Sequence, residues 1–75
     1  MNTENKKKAY IEYLLSFEVL EIKDNGKCRA ELRKDEKTGA LAIVVFLNGE
    51  FEEAFYENIY MRKQIQAIWN NWLDN

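Results

Sequence analysis

A chain of 75 residues that is 47% apolar and 13% aromatic is one folded domain rather than a disordered tail, and its small core leaves a thin margin of stability. A net charge of −2 and an isoelectric point of about 5.1 argue against a dedicated nucleic-acid binder, which carries a basic excess, and the lack of histidine removes the commonest general base and metal ligand. One cysteine, Cys28, cannot close an internal disulfide; with no apolar run near the ~18 residues of a membrane span and no signal-peptide pattern at the start, a cytoplasmic protein is expected.

In chain order, residues 1–5 are expected to fray, with Thr3 or Asn5 able to cap a helix. Tyr10, Ile11, Leu14, Leu15 and Phe17 then form a stripe at helical spacing over Ala9 to Phe17. Residues 18–23 read two ways. A helix can run on through Val19 and Ile22 to a stop at Asn25-Gly26, or these residues form a first strand. A three-residue loop of Asp24-Asn25-Gly26 sets Ile22 against Cys28 and Leu20 against Ala30, which favours the strand.

Lys27 to Arg33 alternates. Cys28, Ala30 and Leu32 point one way and Arg29, Glu31 and Arg33 the other, the signature of a half-buried antiparallel strand. Closing the next turn by pairing Lys34 with Ala40 puts Leu32 opposite Ala42, Ala30 opposite Val44 and Cys28 opposite Phe46. Leu41-Ala42-Ile43-Val44-Val45-Phe46-Leu47 is an unbroken apolar run of strand length, rich in β-branched residues, and is expected to be the central strand. Asn48-Gly49 follows as a tight hairpin turn. It sets Leu47 against Glu50, Phe46 against Phe51 and Ala42 against Phe55, with Val44 against Glu53 as the one mismatch.

Asn58 can cap a last helix, on which Met61, Ile65, Ile68, Trp69, Trp72 and Leu73 recur on one face. The expected fold is α+β over 1–75: an N-terminal helix, an antiparallel three- or four-stranded β-meander, and a C-terminal amphipathic helix packed on the sheet. In this register the last helix lies over Cys28, Ala30, Leu32, Ala42, Val44, Phe46, Phe51 and Phe55.

The other face of the sheet is unusual. Leu41, Ile43, Val45 and Leu47 run down its middle between Arg29, Glu31 and Arg33 on one side and Glu50, Glu52, Ala54 and Tyr56 on the other. A central strand that is apolar on both faces is usually covered on both. The cover can be the first helix, a second copy of the chain or another protein; failing these, long Arg and Glu stems shield a wet face. Arg29, Arg33, Leu41, Ile43, Val45, Glu52 and Tyr56 are the candidate partner surface.

Chemical motifs are weak. Cys28 reads as an inert core thiol, with no histidine to activate it. Glu50, Glu52, Glu53 and Glu57 lack calcium-loop spacing and read as a solvated edge. Tyr56 and Tyr60, near Arg62 and Lys63, read as part-buried tyrosines rather than base-stacking platforms. Glycine-rich phosphate loops and nucleophile elbows are missing. No catalytic, cofactor or metal role is expected, and neither nucleic acid nor membrane is expected as a partner. The expected function is a small non-enzymatic interaction module that dimerises or docks on a protein. The alternatives are a binder of nucleic acid or its machinery through Lys6, Lys7, Lys8, Arg62 and Lys63, or an acidic decoy of a host enzyme encoded by a phage or mobile element.

Overall fold

A computed structural model describes residues 3–72, with side chains from residue 7. The elements are α1 (Thr3–Leu15), β1 (Glu18–Asp24), β2 (Cys28–Lys34), β3 (Leu41–Leu47), β4 (Glu50–Tyr56) and α2 (Arg62–Asn70). The sheet order β1-β2-β3-β4 follows the chain, and every neighbouring pair is antiparallel. The fold is α+β as expected, and residues 18–23 are a strand. Met1, Asn2 and Leu73 lie outside the described residues.

Both helices cover β3, one on each face. Leu14 of α1 and the following Phe17 are buried with Ala42 and Val44. Ile65 and Trp69 of α2 are buried with Ala30, Leu41, Ile43 and Val45. A strand that is apolar on both faces has thus found two internal covers, which makes three layers. Ile43 and Val44, adjacent in sequence and opposite in direction, are each 0% exposed.

Which face each helix takes departs from the expected register. Leu32 pairs with Ile43, Ala30 with Val45 and Cys28 with Leu47, one residue away from the expected Ala42, Val44 and Phe46. The turn is the cause. Asp35 N–H donates to the Ala40 carbonyl (2.9 Å) and Gly39 N–H to the Asp35 carbonyl (2.8 Å). Asp35 also accepts from Lys37 N–H (3.0 Å) and the Thr38 hydroxyl (3.1 Å). Ala40 therefore closes on Asp35 rather than Lys34, and a one-residue shift moves every side chain to the other face. Cys28, Ala30 and Leu32 share the α2 face with Leu41, Ile43 and Val45; Ala42, Val44 and Phe46 face α1.

The Asn48-Gly49 turn forms as expected, with φ of 53° and 84°, the left-handed pair of a tight hairpin. Leu47–Glu50 and Phe46–Phe51 pair as expected. A bulge then intervenes, so that Val45 faces Glu53 and Ile43 faces Phe55, in place of the expected Val44–Glu53 and Ala42–Phe55. The extra residue turns Phe55 to the α2 face, where it packs edge-on against Tyr60 and Trp72. Ala54 and Tyr56 go to the α1 face.

Asn58 does not cap α2. Ile59 and Tyr60 N–H both donate to the Tyr56 carbonyl (3.1 Å each), closing a turn that delays the helix. Met61 is the N-cap, its N–H held by the Gln64 side chain at 2.7 Å.

Candidate interaction surface

The structure divides the seven residues expected to form one partner surface. Leu41, Ile43 and Val45 are buried beneath α2. Glu52 is exposed at the β4 bulge. Arg29, Arg33 and Tyr56 belong to the α1 face, where they make internal contacts.

Those contacts anchor α1. Glu31 is 5% exposed and lies between two arginines, with Arg29 Nε at 2.9 Å and Arg33 Nε at 2.9 Å. Burial of a carboxylate is tolerable only with such pairing. The Arg33 guanidinium also donates to the carbonyls of Leu15 (2.9 Å) and Phe17 (3.0 Å), at the negative end of α1 where a cation is favoured. Tyr13 meets Phe17 and Tyr56 edge to face, and the Phe17 and Tyr56 rings are tilted against each other. The Tyr13 hydroxyl lies 3.1 Å from that of Tyr56 and 3.3 Å from Asp35 Oδ2. The Tyr56 hydrogen bond, with some burial and the nearby Asp35 charge, pushes the Tyr13 phenol up to about 12. α1 is thereby seated over β3 and β4, and among the described residues β1 is left bare on that face.

β1 is the surface that sequence reasoning missed. Val19, Leu20 and Ile22 are 40%, 43% and 48% exposed, while two of its charged side chains, Glu21 and Lys23, turn to α2. Glu21 accepts from Trp69 Nε1. Lys23 Nζ donates to the carbonyls of Trp69 and Trp72 (3.2 Å for the second) and lies 5.0 Å above the Trp69 ring. Lys23 is the most buried position of the strand. At Val19, Glu21, Ile22 and Lys23 the usual order, apolar in and polar out, is inverted.

The main chain of β1 adds to this. Asn48 N–H donates to the Lys27 carbonyl (2.8 Å) and Asn25 N–H to the Cys28 carbonyl (3.1 Å). Hydrogen-bonded and open rungs alternate along an antiparallel ladder. With Lys23 opposite Ala30 and Ile22 opposite Glu31, Lys23 and Glu21 turn their N–H and C=O groups to β2. Val19, Ile22 and Asp24 turn theirs outward. The expected pairing of Ile22 with Cys28 and Leu20 with Ala30 does not form. The Asn25 side chain instead accepts from Lys27 N–H (3.1 Å) and Cys28 N–H (2.8 Å), which makes Asn25–Cys28 the turn. A bulge between Val19 and Glu21 then puts both Leu20 and Glu21 on the α2 face.

Other candidates carry less. A cleft of about 480 Å³ between α2 and the sheet is lined by Leu20, Glu21, Leu32, Lys34, Arg62 and Trp69, among others. Its charges are largely engaged: Glu21 holds Trp69, and Arg62 reaches Glu57 (3.2 Å) and the Gly39 carbonyl (2.7 Å). Glu57 in turn accepts from Leu41 N–H at 2.9 Å, so it is a latch for the start of β3. Among the described residues, no group of three or more His, Cys, Asp or Glu side chains is placed to hold a metal ion. Cys28 is half-buried against the α2 cluster. Among the described residues, no helix is long and apolar enough to cross a membrane.

No family model, curated protein or solved structure matches the chain.

Proposed function

We propose that this chain is a small, cytoplasmic, non-enzymatic interaction module that acts by accepting a strand from another protein chain along β1. The supporting observation is the inversion at this edge. Among the described residues, the N–H and C=O groups of Val19 and Ile22 face away from β2 with no strand beyond them, and solvent-exposed apolar side chains lie beside them. Strand addition of this kind draws affinity from main-chain hydrogen bonds and specificity from alternate side chains. An apolar edge without a partner is an aggregation hazard that folded proteins normally suppress.

Amide hydrogen exchange tests the reading. In dilute protein the N–H groups of Val19 and Ile22 are expected to exchange as open amides, and to become protected when a partner strand is seated. Protection of both in a monomer at high dilution overturns the proposal, because the chain would then be closing its own edge.

A further inference from the structure

Strand addition at β1 leaves the partner unnamed, and the strand's own residues identify one. Resting on that reading, we propose that the occupant is a second copy of this chain. Its β1 pairs antiparallel with the first about a two-fold axis that passes between Leu20 and Glu21.

The bulge supplies the main argument. A two-fold axis perpendicular to a sheet sets each outward-turned residue against another on the same face. In a regular strand, residues three apart point to opposite faces. The extra residue between Val19 and Glu21 changes that parity. Val19 pairs with Arg33 and Ile22 with Glu31, so both lie on the α1 face, and both turn their main-chain groups outward. Val19 can therefore stand opposite Ile22 of the partner subunit, and Ile22 opposite Val19 of the partner subunit. Each pair exchanges both of its hydrogen bonds.

Side-chain chemistry agrees with this register. On the α1 face two β-branched apolar residues meet two more. On the α2 face, Glu18 comes opposite Lys23 of the partner subunit. Glu18 is exposed and makes no ion pair among the described residues. Lys23 uses two of its donors on the Trp69 and Trp72 carbonyls and keeps a third for a carboxylate. At the axis, Leu20 meets Glu21 of the partner subunit on the α2 face; the neighbouring register, with Ile22 against its own copy, loses the apolar match on the α1 face by setting Val19 against Asp24. The paired segments are short, so the dimer is expected at the weak end of specific interfaces, with a dissociation constant on the order of micromolar or higher.

The test combines mass, exchange and cross-linking. Sedimentation equilibrium should show a monomer–dimer equilibrium, and protection of the Val19 and Ile22 amides should rise with the dimer fraction. In a Cys28→Ala background, a mixture of Val19→Cys and Ile22→Cys proteins should form a mixed disulfide, with either variant alone giving a roughly tenfold lower yield, since opposed residues are about 5.5 Å apart at Cα. In the native background, Glu18→Lys should raise the dissociation constant about tenfold, by replacing two attractive pairs with repulsive ones. Cross-linking of Ile22→Cys with itself as the dominant product overturns the register. A monomer at all concentrations, with Val19 and Ile22 exchanging freely, overturns self-pairing while leaving strand addition by a different protein standing. A monomer with both amides protected overturns both.

Discussion

The two edges of the sheet solve the same problem in opposite ways. β4 turns Phe51, Ala54, Phe55 and Tyr56 into the molecule, half-buried, and leaves Glu50, Glu52 and Glu53 in water. Its carboxylates and bulge make it a poor template for another strand. β1 has a bulge too, but it holds Glu21 and Lys23 against α2 and leaves Val19, Leu20 and Ile22 exposed. An edge strand is therefore not protected by containing charges. It is protected when those charges point away from the protein, and here the C-terminal end of α2 has drawn Glu21 and Lys23 of β1 to itself.

The contrast depends first on α1 staying over β3 and β4. Glu31→Ala should have the largest effect. It leaves the Arg33 guanidinium without its buried carboxylate and loosens its grip on the Leu15 and Phe17 carbonyls. Chemical denaturation should show a loss of about 3 kcal/mol, the lower end for breaking a buried pair. Matched truncations of the two edges come next. Phe55→Ala on β4 should cost about 2–3 kcal/mol, below the usual range for an aromatic because the ring is only part-buried. Ile22→Ala on β1 should change stability by no more than about 0.5 kcal/mol while weakening association. Comparable destabilisation by both would erase the distinction between the edges. The smallest change in stability is expected for Glu50→Val/Glu53→Val, within about 0.5 kcal/mol for such exposed sites. Its effect should appear in light scattering. With both edges apolar, assembly should run past the dimer to larger, open-ended species, and a variant that stays no larger than the native protein would show that carboxylates are not what guards β4.

Element order and type could be read from the residues, because each rests on a local signal. The apolar run 41–47, the Asn48-Gly49 turn and the stripe through Ile65 and Trp69 all lie where expected. Register could not be read, and β3 explains why. With apolar side chains on both faces, Leu41–Leu47 accepts either alignment of β2, so hydrophobic pattern has no power to choose. The choice falls to Asp35, whose side chain and main chain organise the 35–40 turn. The candidate surface carries the same slip: Leu41, Ile43 and Val45, expected on the face with Arg29 and Arg33, lie on the other. The bulge in β4 had a trace in the sequence, the mismatch of Val44 with Glu53, which the extra residue removes. The bulge in β1 had one as well, the break in alternation at the adjacent apolar pair Val19-Leu20. The inversion there had none, since only the position of Trp69 shows which side of β1 is covered.

The sheet order, which repeats the chain order, bears on how the molecule assembles. Each strand meets its neighbour through a short reversal, so hairpins can close on the order of microseconds without waiting for distant segments, and low contact order favours fast folding. The helices precede and follow the four strands rather than interrupt them, so the meander can be complete before either docks. In that interval β3 is greasy above and below, and the nascent sheet is most vulnerable to sticking to others of its kind.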